Sequence, residues 1–139
     1  MLDLNGTIAL DGEIIEGVEE RLQKLSKLLG VFIVTADTFG SAAELGEKLQ
    51  TKVHLVEKEN EDSQKLALVE KLGKGKTVCI GNGSNDASML RESAIGICVL
   101  GKEGASVEAI MSSDLVVPDI NDALEMLLNT DRLIATLRR

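Results

Sequence analysis

Apolar residues follow two spacings along this chain, and the change from one to the other predicts where strands and helices lie. Short runs rich in Val, Ile and Leu are typical of strands that are covered on both faces. Between these runs, apolar residues recur at steps of three and four, as in a helix with one buried face. Alternating strands and helices with short connections predict an α/β fold, with three layers α/β/α around a doubly wound parallel sheet. The predicted strands are residues 2–4, 31–35, 52–56, 77–80, 95–99 and 115–117.

Seven helices and one small hairpin are predicted around these strands. Asp11-Gly12 is a pair that favours a two-residue hairpin turn, so residues 8–13 predict a small flap. The first helix is expected to stop before Gly30, and the others lie at about residues 38–49, 61–72, 84–92, 105–111, 120–128 and 131–137. The apolar positions that indicate the first helix are Ile14, Ile15, Val18, Leu22, Leu25 and Leu29.

The first predicted strand is short for its place in such a sheet. Only Met1 and Leu2 precede Asp3, so the strand has about four residues where five or six are usual. Two explanations stay open: the strand is unusually short, or the native chain begins upstream of Met1.

Composition narrows the classes of partner. The 139 residues are 44% hydrophobic, which is enough for one buried core, and we predict a single domain over residues 1–139. The net charge of -8 repels nucleic acid and anionic lipid, so neither is an expected partner. No apolar run reaches the ~20 residues of a membrane helix and no leader peptide is recognisable, so we expect a cytoplasmic protein. Cys79 and Cys98 lie in strand-like runs and are predicted to be core residues.

Two polar loops follow predicted strands and carry the candidate chemistry. They are Asp3-Leu4-Asn5-Gly6-Thr7 and Gly81-Asn82-Gly83-Ser84-Asn85-Asp86. The carboxyl ends of parallel strands form the edge where α/β sheets bind ligands. Glycine permits close backbone approach in such loops, and exposed amides can face an anion. Taken alone, the first loop also fits a surface Asx turn.

The two loops resemble the first and fourth motifs of the haloacid dehalogenase (HAD) phosphohydrolases, D-x-D-G-T and G-D-G-x-N-D. Residues 79–90 resemble the phosphorylation domains of P-type ATPases, and Thr35-Ala36-Asp37 resembles their T-G-D signature with alanine for glycine. Lys65 matches the lysine of motif III. These motifs keep the family order over the whole chain, which implies a Rossmann-like, HAD-like fold. A response-regulator receiver is the nearest competing fold, and the lack of an aspartate in residues 52–57 disfavours it.

The resemblance also implies site roles. Asp3 would be the nucleophile that forms an aspartyl-phosphate, and a phosphorylated substrate would be the partner. Mg²⁺ would be the cofactor. Its implied ligands are Asp3, the Asn5 backbone carbonyl, Asn82 and Asp86. The implied phosphate contacts are Gly6, Thr7, Thr35, Ala36 and Lys65, and Asp37 and Asn85 belong to the same motifs.

Two asparagines depart from the family pattern. Asn5 stands where the family has its general acid and base, a function typically worth about 10²- to 10⁴-fold in rate. Asn82 replaces a carboxylate on the Mg²⁺ side of the site, so we predict weakened Mg²⁺ binding. The sequence therefore predicts a slow Mg²⁺-dependent phosphohydrolase that acts on phosphoric monoesters or acyl phosphates. The alternative is a catalytically impaired HAD-fold module that binds a phosphorylated ligand or partner.

The intervals between the motifs leave no room for a cap domain. The gap after motif I holds one helical pattern, and the gap between motifs II and III holds a helix and a strand. An uncapped site excludes water poorly. It suits a large substrate, or a small one that a neighbouring subunit encloses, and we therefore favour a homo-oligomer.

Overall fold

The computed structural model describes residues 1–36 and 39–138, and a six-stranded sheet lies at the centre of this part. The strand order is β5-β4-β1-β6-β7-β8, and every neighbouring pair is parallel. The predicted α/β class and all of the predicted strands are confirmed. The strands of this sheet are β1 (Leu2–Asp3), β4 (Phe32–Thr35), β5 (Lys52–Leu55), β6 (Val78–Gly81), β7 (Ile95–Val99) and β8 (Leu115–Val117).

Helices cover both faces of the sheet. They are α1 (Val18–Leu25), α2 (Phe39–Leu49), α3 (Glu61–Leu72), α4 (Ala87–Glu92), α5 (Val107–Ser112), α6 (Ile120–Leu128) and α7 (Thr130–Leu137), with 3-10 turns at Lys74–Lys76 and Ser84–Asp86. Successive strand residues point to opposite faces. Ile33 and Ile97 accordingly pack in a core with α1 and α6, whereas Val34 and Cys98 pack in a second core with α3 and α4. The three predicted layers are confirmed.

A small antiparallel hairpin follows β1. It consists of β2 (Ala9–Leu10) and β3 (Glu13–Ile14). Asp11 and Gly12 have φ angles of 52° and 83°, the left-handed backbone that a two-residue hairpin turn requires. The predicted flap is confirmed.

The prediction for the first helix was wrong at both ends. Ile14 pairs with Ala9 in the hairpin, and the helix begins only at Val18, after Gly17 with a φ of 86°. It ends at Leu25, and Leu29 is 51% exposed. The helical spacing of apolar residues begins too early because the hairpin also packs Ile14 against the core. It extends too far because Leu29 keeps the spacing although it lies on the surface.

Strand β1 has two residues and lies in the middle of the sheet. Leu2 pairs with Ile33 on one side and Ile80 on the other, and Asp3 pairs with Val34. The Met1 amino group is buried and donates a hydrogen bond to the Val78 carbonyl at 2.7 Å. Asp3 therefore stands at the carboxyl edge of the sheet.

The connections between the motif-bearing strands are short. The hairpin and α1 join β1 to β4, and α2 with β5 joins β4 to α3, so the described residues contain no inserted cap domain. Both cysteines are free and buried in the second core, as predicted. None of the described helices has the length and apolar character needed to cross a membrane.

Candidate active site

The carboxyl ends of β1, β4 and β6 border an open cavity of about 390 Å³. Asp3 ends β1, Thr35 ends β4, and Gly81 ends β6 before the second motif loop. The structure thus brings residues from all the predicted motifs together. Those that line the cavity are Asp3, Asn5, Thr35, Ala36, Asn82 and Asn85.

The loop after Asp3 folds back on a single carbonyl group. The Leu4 carbonyl accepts hydrogen bonds from the N–H groups of Thr7, Ile8 and Ala9, at 3.3, 3.0 and 2.9 Å. Gly6 has a φ of 78°, and a Cβ there would lie 2.6 Å from Asn82 Nδ2. Glycine therefore permits both the turn and the approach of the second motif loop.

Lys65 joins the two loops through a buried ion-pair network. Its side chain is 1% exposed, and Nζ lies 2.8 Å from both Asp3 Oδ1 and Asp86 Oδ1. A third carboxylate oxygen, Glu61 Oε2, lies 3.8 Å from Nζ. Buried charges are costly unless they are paired and hydrogen-bonded, and these contacts meet that condition for Lys65.

Burial and the neighbouring charges together raise the pKa of the Asp3 carboxyl group above its ordinary value. Burial raises the pKa of Asp3 to about 7, and the Asp86 carboxylate adds to the rise, while Lys65 opposes it. Burial lowers the pKa of Lys65, but Asp3 and Asp86 outweigh this effect and the net pKa is raised. Lys65 therefore stays protonated beside a nucleophile candidate whose charge changes near neutrality.

Asp86 is fully buried, and both of its carboxylate oxygens accept hydrogen bonds. Oδ1 accepts from Lys65, and Oδ2 accepts from the N–H groups of Asn82 and Gly83 at 3.0 and 2.9 Å. Gly81 makes room for this side chain, because a Cβ on Gly81 would lie 2.5 Å from Asp86 Cγ. Asp86 thus orients Lys65 and the loop, and its role as a metal ligand stays a prediction.

Asn82 connects the first motif loop to residues 101–106, which we term the 101–106 loop. Asn82 Oδ1 lies 3.1 Å from the Thr7 hydroxyl, which also lies 3.3 Å from Asp3 Oδ2. Asn82 Nδ2 donates to the Gly104 carbonyl at 3.1 Å, and the Asn82 carbonyl accepts from the Ser106 N–H at 2.9 Å. An aspartate could not donate to Gly104, so the asparagine makes a contact that the family residue lacks.

The remaining predicted residues lie around the cavity. Thr35 is buried at the end of β4, Ala36 follows it, and Asn5 is exposed. Asn85 donates a hydrogen bond to Glu61. Asp37 lies outside the described residues, so its predicted place in the site remains a prediction.

The residues predicted from the sequence do not include two acidic residues that line this cavity, Glu61 and Glu103, or Lys58, which also lines it. Glu61 precedes Lys65 by four residues and therefore shares its helix face, which was a usable signal. Lys58 and Glu103 follow β5 and β7, so the rule that ligands bind at the carboxyl ends of strands applied to them too.

The oxygen donors fit a hard divalent cation that keeps water and phosphate among its ligands. The Asp3 carboxylate, the Asn5 backbone carbonyl and the Asn82 amide oxygen belong to neighbouring parts of the two motif loops. Within the described residues, no three His, Cys, Asp or Glu side chains form a group that could hold a metal ion. Such a cation would therefore need neutral oxygen ligands, water and phosphate beside the Asp3 carboxylate.

Comparison with known proteins shows relatives of two kinds. No family model matches the chain. Over 90 residues the chain is 49% identical to Uncharacterized protein MJ0073 of Methanocaldococcus jannaschii. This match covers 60% of this chain and 97% of that protein. The two proteins belong to one family. Human Phospholipid-transporting ATPase IH is 44% identical over 52 residues, which cover 37% of this chain and 4% of the transporter.

Solved structures share the fold over nearly the whole chain. The 3-deoxy-D-manno-octulosonate 8-phosphate phosphatase of Moraxella catarrhalis, in complex with magnesium, phosphate and KDO, has a TM-score of 0.73 at 20% identity. That match covers 99% of this chain and 91% of the phosphatase. A Legionella pneumophila protein named for the HAD superfamily, subfamily III A, has a TM-score of 0.71 at 15% identity, with 98% and 84% covered. The chain therefore has the fold of these structures.

A third solved structure with this fold holds an analogue of a phospho-aspartyl intermediate. The phospho-aspartyl intermediate analogue of phosphoserine phosphatase has a TM-score of 0.66 at 20% identity, and the match covers 84% of this chain and 64% of the phosphatase. The predicted HAD fold and the predicted resemblance to P-type ATPases are confirmed by these matches.

Proposed function

We propose that this protein is a divalent-cation-dependent phosphohydrolase that accepts a phosphoryl group on Asp3. One observation carries the proposal: the Asp3 carboxylate ends the central strand, lines the open cavity and is held at 2.8 Å by a buried, protonated lysine. Phosphatases with the same fold support it, including one bound to magnesium and phosphate and one in a phospho-aspartyl analogue state.

The first step transfers the phosphoryl group to the protein. A carboxylate oxygen of Asp3 attacks phosphorus, a P–O bond to the leaving group breaks, and the leaving group departs with that electron pair. Lys65 offsets the negative charge that gathers at phosphorus, and the Thr35 hydroxyl binds a phosphate oxygen. The N–H groups of Gly6 and Thr7 donate to the Ala9 and Leu4 carbonyls at 2.8 and 3.3 Å. Mg²⁺ would be held by Asp3, the Asn5 carbonyl and Asn82, and would supply further positive charge at the phosphate oxygens.

The second step hydrolyses the aspartyl-phosphate and regenerates the Asp3 carboxylate. Water attacks phosphorus, the bond between phosphorus and the Asp3 oxygen breaks, and inorganic phosphate leaves after the water loses a proton to solvent. Asn5 has no ionisable group to take that proton, or to protonate the leaving group in the first step. Substrates with good leaving groups, such as acyl phosphates, should therefore react best. The aspartyl-phosphate on Asp3 should be long-lived.

The test is the intact mass of the protein after incubation with acetyl phosphate, an aryl phosphate or ATP, each with and without Mg²⁺. We expect a mass increase of one phosphoryl group that requires Mg²⁺ and is lost in Asp3→Asn. Asp62→Asn is the matched control, because Asp62 lies exposed on α3.

Two results would decide against the enzyme. The absence of an adduct and of turnover across a broad panel of phosphoesters would favour the alternative, a module that binds a phosphorylated ligand. An adduct that persists in Asp3→Asn would show that another residue is the acceptor.

A further inference from the structure

The 101–106 loop brings an acidic side chain to the site that the proposed reaction does not use. Glu103 lines the same cavity as Asp3, Asn5 and Asn82. A Cβ on Gly6 would lie 2.7 Å from Glu103 Oε2 and 2.6 Å from Asn82 Nδ2. The Glu103 carboxylate and the Asn82 amide thus approach one point above the first motif loop.

The loop that carries Glu103 is fastened to the second motif loop by Asn82. The Asn82 side chain donates to the Gly104 carbonyl, and the Asn82 carbonyl accepts from the Ser106 N–H. These two bonds hold Gly104 and Ser106, which follow Glu103 in the chain. On the other side, the Gly101 N–H donates to the Pro118 carbonyl at 3.0 Å. The Asn82 side-chain amide is therefore one of the groups that hold the loop beside Glu103.

Glu103 differs from the other acidic residues of the cavity in having a free carboxylate. Asp3 is bound by Lys65 and Thr7, and Glu61 accepts from Asn85. Among the described residues, Glu103 makes no hydrogen bond or ion pair. Its charge is therefore available to a ligand of the cavity, and no three of the described His, Cys, Asp and Glu side chains form a group that could hold a metal ion by themselves.

We propose that Glu103 binds the site's divalent cation through the water molecules that the cation keeps, and so supplies the negative charge that Asn82 lacks. Mg²⁺ sheds water reluctantly and usually retains several waters in proteins, so a carboxylate beyond direct reach can accept hydrogen bonds from them. Asn82 acts as the positioning residue that holds the loop in place. The inference rests on the proposed function, because it concerns the same site.

The first experiment measures cation affinity directly, by calorimetric titration of the full chain with Mg²⁺ and with Mn²⁺ in the absence of any phosphorylated compound. Loss of an outer partner of a metal site typically lowers affinity about 10- to 100-fold. Because Glu103 is exposed, we expect Glu103→Gln to lower affinity about tenfold, at the lower end of that range. Glu108→Gln is the control, because it makes the same charge change at an exposed residue of α5. Its cation affinity should equal that of the wild type.

Equal affinity in Glu103→Gln and the wild type would overturn the inference. The outcome is separable from the proposed function: a Mg²⁺-dependent adduct on Asp3 together with unchanged affinity in Glu103→Gln would overturn the role of Glu103 alone. Weakened cation binding in Glu103→Gln without any adduct would support that role and overturn the hydrolase.

The second experiment tests the positioning role of Asn82 by repeating Glu103→Gln in an Asn82→Asp background. Asn82→Asp removes the donor to Gly104, so the loop should no longer hold Glu103 at the cation. We expect the effect of Glu103→Gln to fall from about tenfold to about twofold in that background. An undiminished effect would overturn the positioning role, and circular dichroism and thermal unfolding would verify that every variant is folded.

Discussion

The two sides of the cavity are built from opposite kinds of residue. On the buried side, Asp3, Lys65 and Asp86 form a charged network in which each member has close partners. On the open side, Asn5 is exposed and Asn82 has an amide in place of a carboxylate. The proposed reaction uses the buried side to accept a phosphoryl group, whereas the two asparagines of the open side bear on proton transfer and cation charge. Changes on the two sides should have different consequences.

The buried side should be the more sensitive one. Lys65→Met leaves two buried carboxylates without their shared cation, so we expect a loss of about 3–5 kcal/mol in the free energy of unfolding. The phosphoryl adduct on Asp3 should also disappear. Urea denaturation and intact mass measure the two effects, with Lys71→Met on the exposed face of α3 as the control. An adduct at the wild-type level would show that the network is dispensable for the reaction.

On the open side, Asn5→Asp should raise activity. It restores an ionisable group at the position where the family has its acid and base, so we expect steady-state hydrolysis of aryl phosphates to rise by about 10²- to 10⁴-fold. The gain in the rate of adduct formation should be smaller for acyl phosphates, because their leaving groups need less protonation. If turnover of aryl phosphates does not rise, the interpretation of Asn5 is wrong.

Asp3→Asn should make the fold more stable and its stability less dependent on pH. The native pKa of Asp3 is raised from its ordinary 3.8 to about 7, so the native state holds a proton that the unfolded chain loses between these values. Wild-type stability therefore falls as pH rises through this window, and the variant lacks that contribution. We expect the variant to exceed the wild type by on the order of 2 kcal/mol at pH 8 and by less at pH 4.

Urea denaturation of the wild type and Asp3→Asn at the two pH values measures this difference in the free energy of unfolding. Asp62→Asn is the control, and its free energy of unfolding should be close to that of the wild type at both pH values. A gap that is the same at pH 4 and pH 8 would contradict the raised pKa of Asp3.

The smallest expected effect concerns the cation. Asn82→Asp places a carboxylate directly on the cation side and should raise Mg²⁺ affinity about tenfold, even though it releases the 101–106 loop. Calorimetric titration of the wild type and the variant measures the difference. Equal affinity in both would contradict the account of Asn82 as a weakened ligand.

Much of the fold and of the candidate site could be predicted, because both follow from patterns within short stretches of the sequence. The strand runs, and the rule that ligands bind at the carboxyl ends of parallel strands, predict that Asp3, Thr35 and Asn82 lie at one edge of the sheet, where they line one cavity. The start of α1 could not be read from spacing, because Ile14 satisfies a helical period and a hairpin equally well. The donor role of Asn82 and the place of Glu103 depend on how the 101–106 loop meets the second motif loop. That contact joins residues about twenty positions apart and leaves no periodic signal.

The central claim is that the buried side accepts a phosphoryl group while the open side releases it slowly. The most direct measurement is the time course of the phosphoryl adduct after acetyl phosphate and Mg²⁺ are removed, followed by intact mass and located by peptide mass spectrometry. We expect the wild type to carry a long-lived adduct on Asp3, and Asn5→Asp to lose it about 10²-fold faster or more. A wild type that never carries the adduct, or equal adduct lifetimes in the two proteins, would contradict the account.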